Sequence, residues 1–233
     1  MDIQDINALI LVYSIIVISL GISLYCDKKG YNVDVRKIVH IGVGNFALVW
    51  WMFSQQWIML AFFSVPFAVL LFFAMLKDNI VSKSKLGDLS QNKGHRTGLF
   101  FYVISINIAI IFFFDHWTAA SIGMMAMTYG DGMGSVIGKR FGKHKTFNGK
   151  SLEGSVGVFV STFVMTVVIV TLFGYMISCG FYPTGNVDAS VPVWVLGIVA
   201  GLVASVAEMF SPGEFDNLII PFTVTVSMIL LGL

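Results

Sequence analysis

Eight apolar runs, nearly free of charge and close to membrane-crossing length, constrain this chain more than any other feature. They are Ile6–Tyr25, Ile38–Phe53, Trp57–Leu76, Gly98–Phe114, Trp117–Ile137, Ser155–Ser178, Val191–Phe210 and Leu218–Leu233. A helix needs roughly 20 residues to cross a hydrocarbon layer about 30 Å thick. The second and last runs are short, so their ends are the least defined. In lipid every backbone amide must be satisfied within the protein, which leaves helices or a closed barrel. Barrel strands alternate apolar and polar residues, and these runs do not. Of the 233 residues, 57% are hydrophobic and 12% charged, with a mean hydropathy of +0.85. A soluble domain carries about 25% charged residues, and its helices need polar faces that these runs lack. The expected fold is therefore all-α, a polytopic membrane helix bundle of about eight transmembrane helices, with residues 1–233 forming a single integral membrane domain.

The charges orient that bundle. All 14 Lys and Arg residues fall in three loops. Lys28, Lys29, Arg36 and Lys37 follow the first run. Lys77, Lys83, Lys85, Lys93 and Arg96 follow the third, and Lys139, Arg140, Lys143, Lys145 and Lys150 follow the fifth. With eight spans these loops share one side, and positive charge marks the cytoplasmic face. Both termini are then expected on the non-cytoplasmic side, with the polar chemistry on the cytoplasmic one. Cys26 and Cys179 fall at opposite faces, which argues against a disulfide. Asp2 and Asp5 stand where a signal peptide has its basic region, so the first run is expected to be a retained span. A net charge of +1 and the lack of a basic domain give no sign of nucleic-acid binding.

The stretch Tyr129–Gly157 carries most of the chemistry. Asp131 falls inside the cytoplasmic end of the fifth run, where an ionisable group is costly and marks a functional candidate. On a continuous helix Asp131, Ser135 and Lys139 share a face, one turn apart. Gly130, Gly134, Gly138 and Gly142 repeat at the same interval, a spacing that also suits close helix packing. The following loop, with Lys139, Arg140, Lys143, His144, Lys145 and Lys150, suits phosphate oxygens beside a carboxylate able to hold a divalent cation. Topology and anionic headgroups alone would also place lysines there. Lys150 stands apart because it leads into Ser151, Glu153 and Gly154.

Glu208 lies in an apolar run and needs a partner, either a metal shared with Asp131 or an ion pair with Lys150. Asp216 and Asn217 open the last run, where a helix cap is one role. His40 lies one turn beyond Arg36 and Lys37, and Arg96 closes the most polar loop. Arg36, Lys37 and Arg96 are candidates for headgroup or phosphate contact, and His40 is a candidate acid or base. No Walker A sequence and no protein-kinase signature occurs.

Four motifs in order resemble a known family: RKxxH at 36–40, GDxxGxxxGxxxG at 130–142, KSxEGS at 150–155 and ExxxxxxxDNxxxP at 208–221. The chain, from about 36 to 222, resembles the CTP-dependent lipid-alcohol kinases, which include dolichol, phytol and other polyprenol kinases and the CTP-dependent diacylglycerol kinase. One departure is Gly134, where the family commonly has alanine. Both residues are small, and close packing is expected to survive.

The resemblance implies transfer of the CTP γ-phosphoryl group to a membrane-embedded lipid alcohol, with Mg²⁺ or a similar divalent cation. Asp131, Glu208 and Asp216 are the implied metal and catalytic carboxylates, with His40 a further catalytic candidate. Gly130, Gly134, Ser135, Gly138, Lys139, Lys143, Lys150, Ser151, Glu153, Gly154 and Asn217 are the implied nucleotide-binding residues. A CTP:phosphatidate cytidylyltransferase is the nearest rival, since it too brings CTP to a lipid beside an Asp-small-Gly stretch. A transporter or membrane scaffold is the non-enzymatic alternative.

Overall fold

The computed structural model describes residues 1–31, 34–76, 78–84, 87, 97–181 and 187–233, with Arg36 described by its backbone. Lys77, Lys85, Lys93, His95 and Arg96 lie outside the described residues, as does the side chain of Arg36. Among the described residues the secondary structure is helical, with one isolated antiparallel bridge between Lys145 and Ser151 and no strand. The helices are α1 (Ile3–Lys28), α2 (Val35–Gly44), α3 (Gln56–Met75), α4 (Gly98–Phe113), α5 (Trp117–Met125), α6 (Gly132–Phe141), α7 (Leu152–Ser178), α8 (Val193–Phe210) and α9 (Asp216–Leu230).

Among the described residues, five helices are long and apolar enough to cross a membrane: α1, α3, α7, α8 and the stretch Gly213–Leu230 that contains α9. The second run is interrupted. After α2 the chain tightens into 3₁₀ turns at Asn45–Leu48 and Trp50–Met52. Asn45 donates its side-chain amide to the carbonyls of Ile41 (2.9 Å) and Gly42 (3.1 Å). A side chain that bonds the preceding turn competes with the helical ladder. At 16 residues, α4 spans about 24 Å at 1.5 Å per residue.

Two compact units divide the chain, Met1–Ile111 and Phe112–Leu233. In the first, Asp5 ties the start of α1 to the turn before α3. It accepts hydrogen bonds from the backbone N–H and the hydroxyl of Ser54, each 2.8 Å. A π-helical turn at Leu60–Ser64 disturbs the α3 ladder, and side chains take up its spare backbone groups. Tyr13 donates to the Phe62 carbonyl at 2.6 Å, and Asn107 donates to the Ser64 carbonyl at 3.3 Å. Such partners are what a buried, broken ladder requires.

The second unit is built around α7, which packs against α6 on one side and α8 on another. Small residues set both distances. A Cβ at Gly154 of α7 would stand 3.1 Å from the Gly134 carbonyl and 3.4 Å from the Gly138 Cα. At Gly201 of α8, a Cβ would stand 2.8 Å from the Phe159 ring. Backbones this close gain dispersion contacts at sites where any side chain would hold the helices apart.

Candidate active site

A short hairpin between α6 and α7 positions the site. Asn148 (φ +53°) and Gly149 (φ +75°) both take left-handed backbone, and the Lys150 N–H donates to the Phe147 carbonyl at 3.0 Å. Asn-Gly suits such a turn because neither residue resists positive φ strongly. The arms are joined by Thr146 N–H to the Lys150 carbonyl (3.0 Å) and Leu152 N–H to the His144 carbonyl (2.9 Å). Two contacts fix the tip to the end of α8. Asn148 donates to the Phe210 carbonyl at 3.1 Å, and the Phe147 and Phe210 rings stack with centroids 4.8 Å apart.

The hairpin delivers Lys150 to the carboxylates of α8 and α9. Its ammonium lies 3.0 Å from Glu208 Oε1 and 2.9 Å from Asp216 Oδ2. The three side chains are 23%, 6% and 9% exposed, so the pairs are largely desolvated. Burial by itself lowers the pKa of the Lys150 ammonium. Asp216, Glu208 and Asp131 more than offset this and hold it above the ordinary lysine value. Glu208 is held further by the Ser155 hydroxyl, which donates to Oε2 at 3.1 Å. Ser205 in turn donates to the Ser155 carbonyl at 2.9 Å. The Asn217 N–H donates to Asp216 Oδ1 at 2.9 Å.

Asp131 is buried at the end of a π-helical turn, Ala126–Asp131, that joins α5 to α6. Single π turns inside α-helices recur at functional sites because they re-aim a side chain. Past this turn the helix continues, with Ser135 half-buried and Lys139 exposed. Lys143 and Lys145 are also exposed. A buried acidic core with Lys150 inside it is thus flanked by exposed ammonium groups on the same segment.

The structure divides the sequence candidates. Gly130, Gly134 and Gly138 turn toward α7 rather than an open surface, and the first two are buried. Ser151 caps α7 by accepting the Gly154 N–H at 3.2 Å. Glu153 clamps the hairpin, accepting backbone N–H groups of Lys143 (3.1 Å) and His144 (3.3 Å) and contacting His144 Nδ1 at 2.7 Å. Glu208 meets Lys150, one of the two partners open to it from sequence. Close packing is expected to survive alanine at 134, and the structure shows how tight the space there is. A Cβ there would stand 2.5 Å from Val158 Cγ2 and 3.2 Å from the Gly154 carbonyl. In the first unit, Lys37 is half-buried and His40 is 5% exposed, its ring centroid 4.0 Å from that of Tyr102.

Sequence reasoning passed over Asn148, Ser205 and the bond from Ser155 to Glu208. The Asn-Gly pair was a readable hairpin signal. Ser205 lies three residues before Glu208, on the same face of a helix.

Among the described residues no group of three or more His, Cys, Asp and Glu side chains is placed to hold a metal. Mg²⁺ commonly takes one or two carboxylates, with waters and substrate phosphates completing its octahedron. The donors here fit that pattern. Asn217 Oδ1 is a buried oxygen without a hydrogen-bond partner among the described residues, beside the Asp216 carboxylate. Pro221, lacking an N–H, leaves the Asn217 carbonyl without its ladder donor.

Comparison with known proteins places the chain. No protein-family model matches it, and no solved structure is significantly similar. It is 30% identical over 198 residues to a phytol kinase of Synechocystis, covering 80% of this chain and 74% of the relative. It is 27% identical over 216 residues to a Triticum aestivum protein named "Probable phytol kinase, chloroplastic", covering 84% and 67%. It is 29% identical over 203 residues to the chloroplastic farnesol kinase of Arabidopsis thaliana, covering 81% and 62%. With its apolar helices and its three second-unit motifs meeting at Lys150, the chain belongs to the lipid-alcohol kinase family of phytol and farnesol kinases, phosphotransferases whose acceptor is an alcohol.

Proposed function

We propose that this kinase transfers the γ-phosphoryl group of CTP to an isoprenoid alcohol held in the membrane, giving the alkyl monophosphate and CDP. The observation that carries the reading is the meeting of Lys150, Glu208 and Asp216, residues up to 66 positions apart that sit within 3.0 Å of one ammonium. Buried charge of this kind is costly unless satisfied, and function is a reason to retain it.

In the proposed reaction the acceptor oxygen attacks the γ-phosphorus as the bond to the β-phosphate bridging oxygen breaks. CDP leaves with that electron pair, and the hydroxyl proton passes to a carboxylate, for which Asp216 is the candidate. Such transfer depends on positioning and charge neutralisation more than on covalent chemistry. Lys139 and Lys143 neutralise phosphate oxygens from the exposed side. Lys150 neutralises and orients Glu208 and Asp216, and His40 is assigned to the acceptor. Asp131, Asp216 and Asn217 Oδ1 would hold Mg²⁺, which supplies charge neutralisation at the phosphates when bound.

The membrane arrangement belongs to the same proposal. The chain crosses eight times, with both termini outside and the three basic loops and the site on the cytoplasmic face. The placement of every Lys and Arg in the first, third and fifth loops of the sequence supports it.

The test is purified protein in nanodiscs with labelled CTP or ATP and a panel comprising phytol, farnesol, dolichol and diacylglycerol. CDP and an isoprenoid monophosphate are expected. Release of pyrophosphate with a CDP-lipid would identify a cytidylyltransferase instead, and phosphorylation from ATP alone would remove CTP from the scheme.

A further inference from the structure

The first unit contains an apolar cavity of about 230 Å³, formed where α1 to α4 meet. Leu20, Val43, Phe67 and Val103 represent its walls, and His40 and Tyr102 are the two lining residues with polar side-chain atoms. Tyr102 directs its hydroxyl to the His40 carbonyl at 3.0 Å, away from the role of a hydrogen-bonding wall. What remains is a hydrocarbon surface with one imidazole in it. Helix cores are normally packed to crystal-like density, with few voids larger than a water. An apolar cavity of ~150 Å³ stays dry and admits benzene. By that measure the present one accommodates about two five-carbon isoprene units.

We propose that this cavity is the binding site for the isoprenoid chain of the acceptor, with the motif residue His40 in its lining. This rests on the kinase reading above. Two features favour an isoprenoid alcohol over a bilayer acyl chain. The motif residue His40, which the Lys150 cluster does not include, stands in the lining, so one of the four motifs belongs to this cavity. A bilayer phospholipid would instead bring a bulky charged headgroup to a wall that, among the described residues, carries no Lys or Arg. The cavity volume also sets a preference. It holds the hydroxyl-proximal isoprene units and lets the rest of a longer chain run into lipid, so chain length beyond that point matters little to KM.

The test uses a diazirine analogue of farnesol, photolysed with the purified full-length protein without nucleotide and mapped by mass spectrometry. Labels on residues of the lining in α2, α3 and α4 are expected, displaced by farnesol and phytol at concentrations about tenfold below those needed of a phospholipid. Val43→Trp and, on a different helix, Val103→Trp should each cut labelling at least about fivefold. Each should also raise the KM for farnesol about tenfold and leave the KM for nucleotide within about twofold. Labels mapping outside the lining, or equal displacement by phospholipid, would overturn the assignment whether or not either variant folds. The two readings separate cleanly. Cavity labelling without phosphorylation of any alcohol rejects the kinase reaction alone. Phosphorylation with the label elsewhere rejects the cavity alone.

Discussion

Lys150 shows how a single residue joins motifs that are distant in the chain. Its ammonium neutralises Glu208 and Asp216 in a setting where neither carboxylate is more than 9% exposed. Lys150→Met therefore has two effects. Leaving two buried carboxylates facing each other costs about 3 kcal/mol, the low end of the usual range because Lys150 is 23% exposed. Phosphoryl transfer falls at least about a hundredfold. Adding Asp216→Leu to Lys150→Met should restore part of the thermal stability in detergent and none of the activity, a cycle that separates the two roles. Asp131→Asn is expected to lower kcat about a hundredfold and to raise the Mg²⁺ concentration giving half-maximal rate. Activity within twofold of the parent, with an unchanged Mg²⁺ dependence, would exclude Asp131 from the site. These residues were legible in sequence because ionisable groups bordering apolar runs need a reason to be there. Their pairing was not legible, since Glu208 had both a metal and Lys150 open to it.

At the level of elements, the contact between α6 and α7 depends on matched shapes. Gly134 faces Val158, and a methyl group at 134 meets Val158 Cγ2 at 2.5 Å. A β-branched side chain has little freedom to move aside. Gly134→Ala should then destabilise the protein by about 1–3 kcal/mol, the range for overpacked cores. Val158→Ala in the same chain should recover most of it, which a thermal-melt cycle of the four variants would measure. Equal melting of Gly134→Ala and the parent would show that the helices can separate slightly without cost.

The hairpin offers a second test at this scale. Replacing Asn148 and Gly149 with alanine puts a side chain into the left-handed backbone of Gly149, at about 1–2 kcal/mol, and removes at 148 an Asn that tolerates that conformation better than alanine does. The amide of Asn148 to Phe210 is lost as well. Since the turn sets the position of Lys150, kcat should fall about tenfold or more, with nucleotide KM less affected. The four-residue glycine interval could be read from sequence as helix packing or, through the family resemblance, as nucleotide binding. Only the facing residues on α7 show what these glycines meet.

For the whole molecule, the two cysteines report the topology. Both are free thiols, with Cys179 exposed and Cys26 partly so. Eight spans with basic loops on one side put Cys26 on the motif-bearing face and Cys179 on the opposite one. A membrane-impermeant maleimide applied to sealed, oriented vesicles should label one of them from each side. Labelling of both from the same side would show that the number of crossings between them is even rather than odd.

The class of this protein followed from sequence alone. Long uncharged runs admit few solutions in lipid, because backbone amides must pair within the segment, and helices do this locally. The family followed too, since four motifs in order carry more information than any one of them. Where local pairing ended, sequence reasoning ended as well. The break after α2 depends on an Asn45 side chain choosing backbone carbonyls over neighbours. The partner of Glu208 depends on a hairpin whose tip is held by Phe210, 62 residues away from Asn148. The cavity beside His40 depends on how four helices fail to fill a space. Each is a matter of long-range contact and shape, and tertiary structure alone decides those.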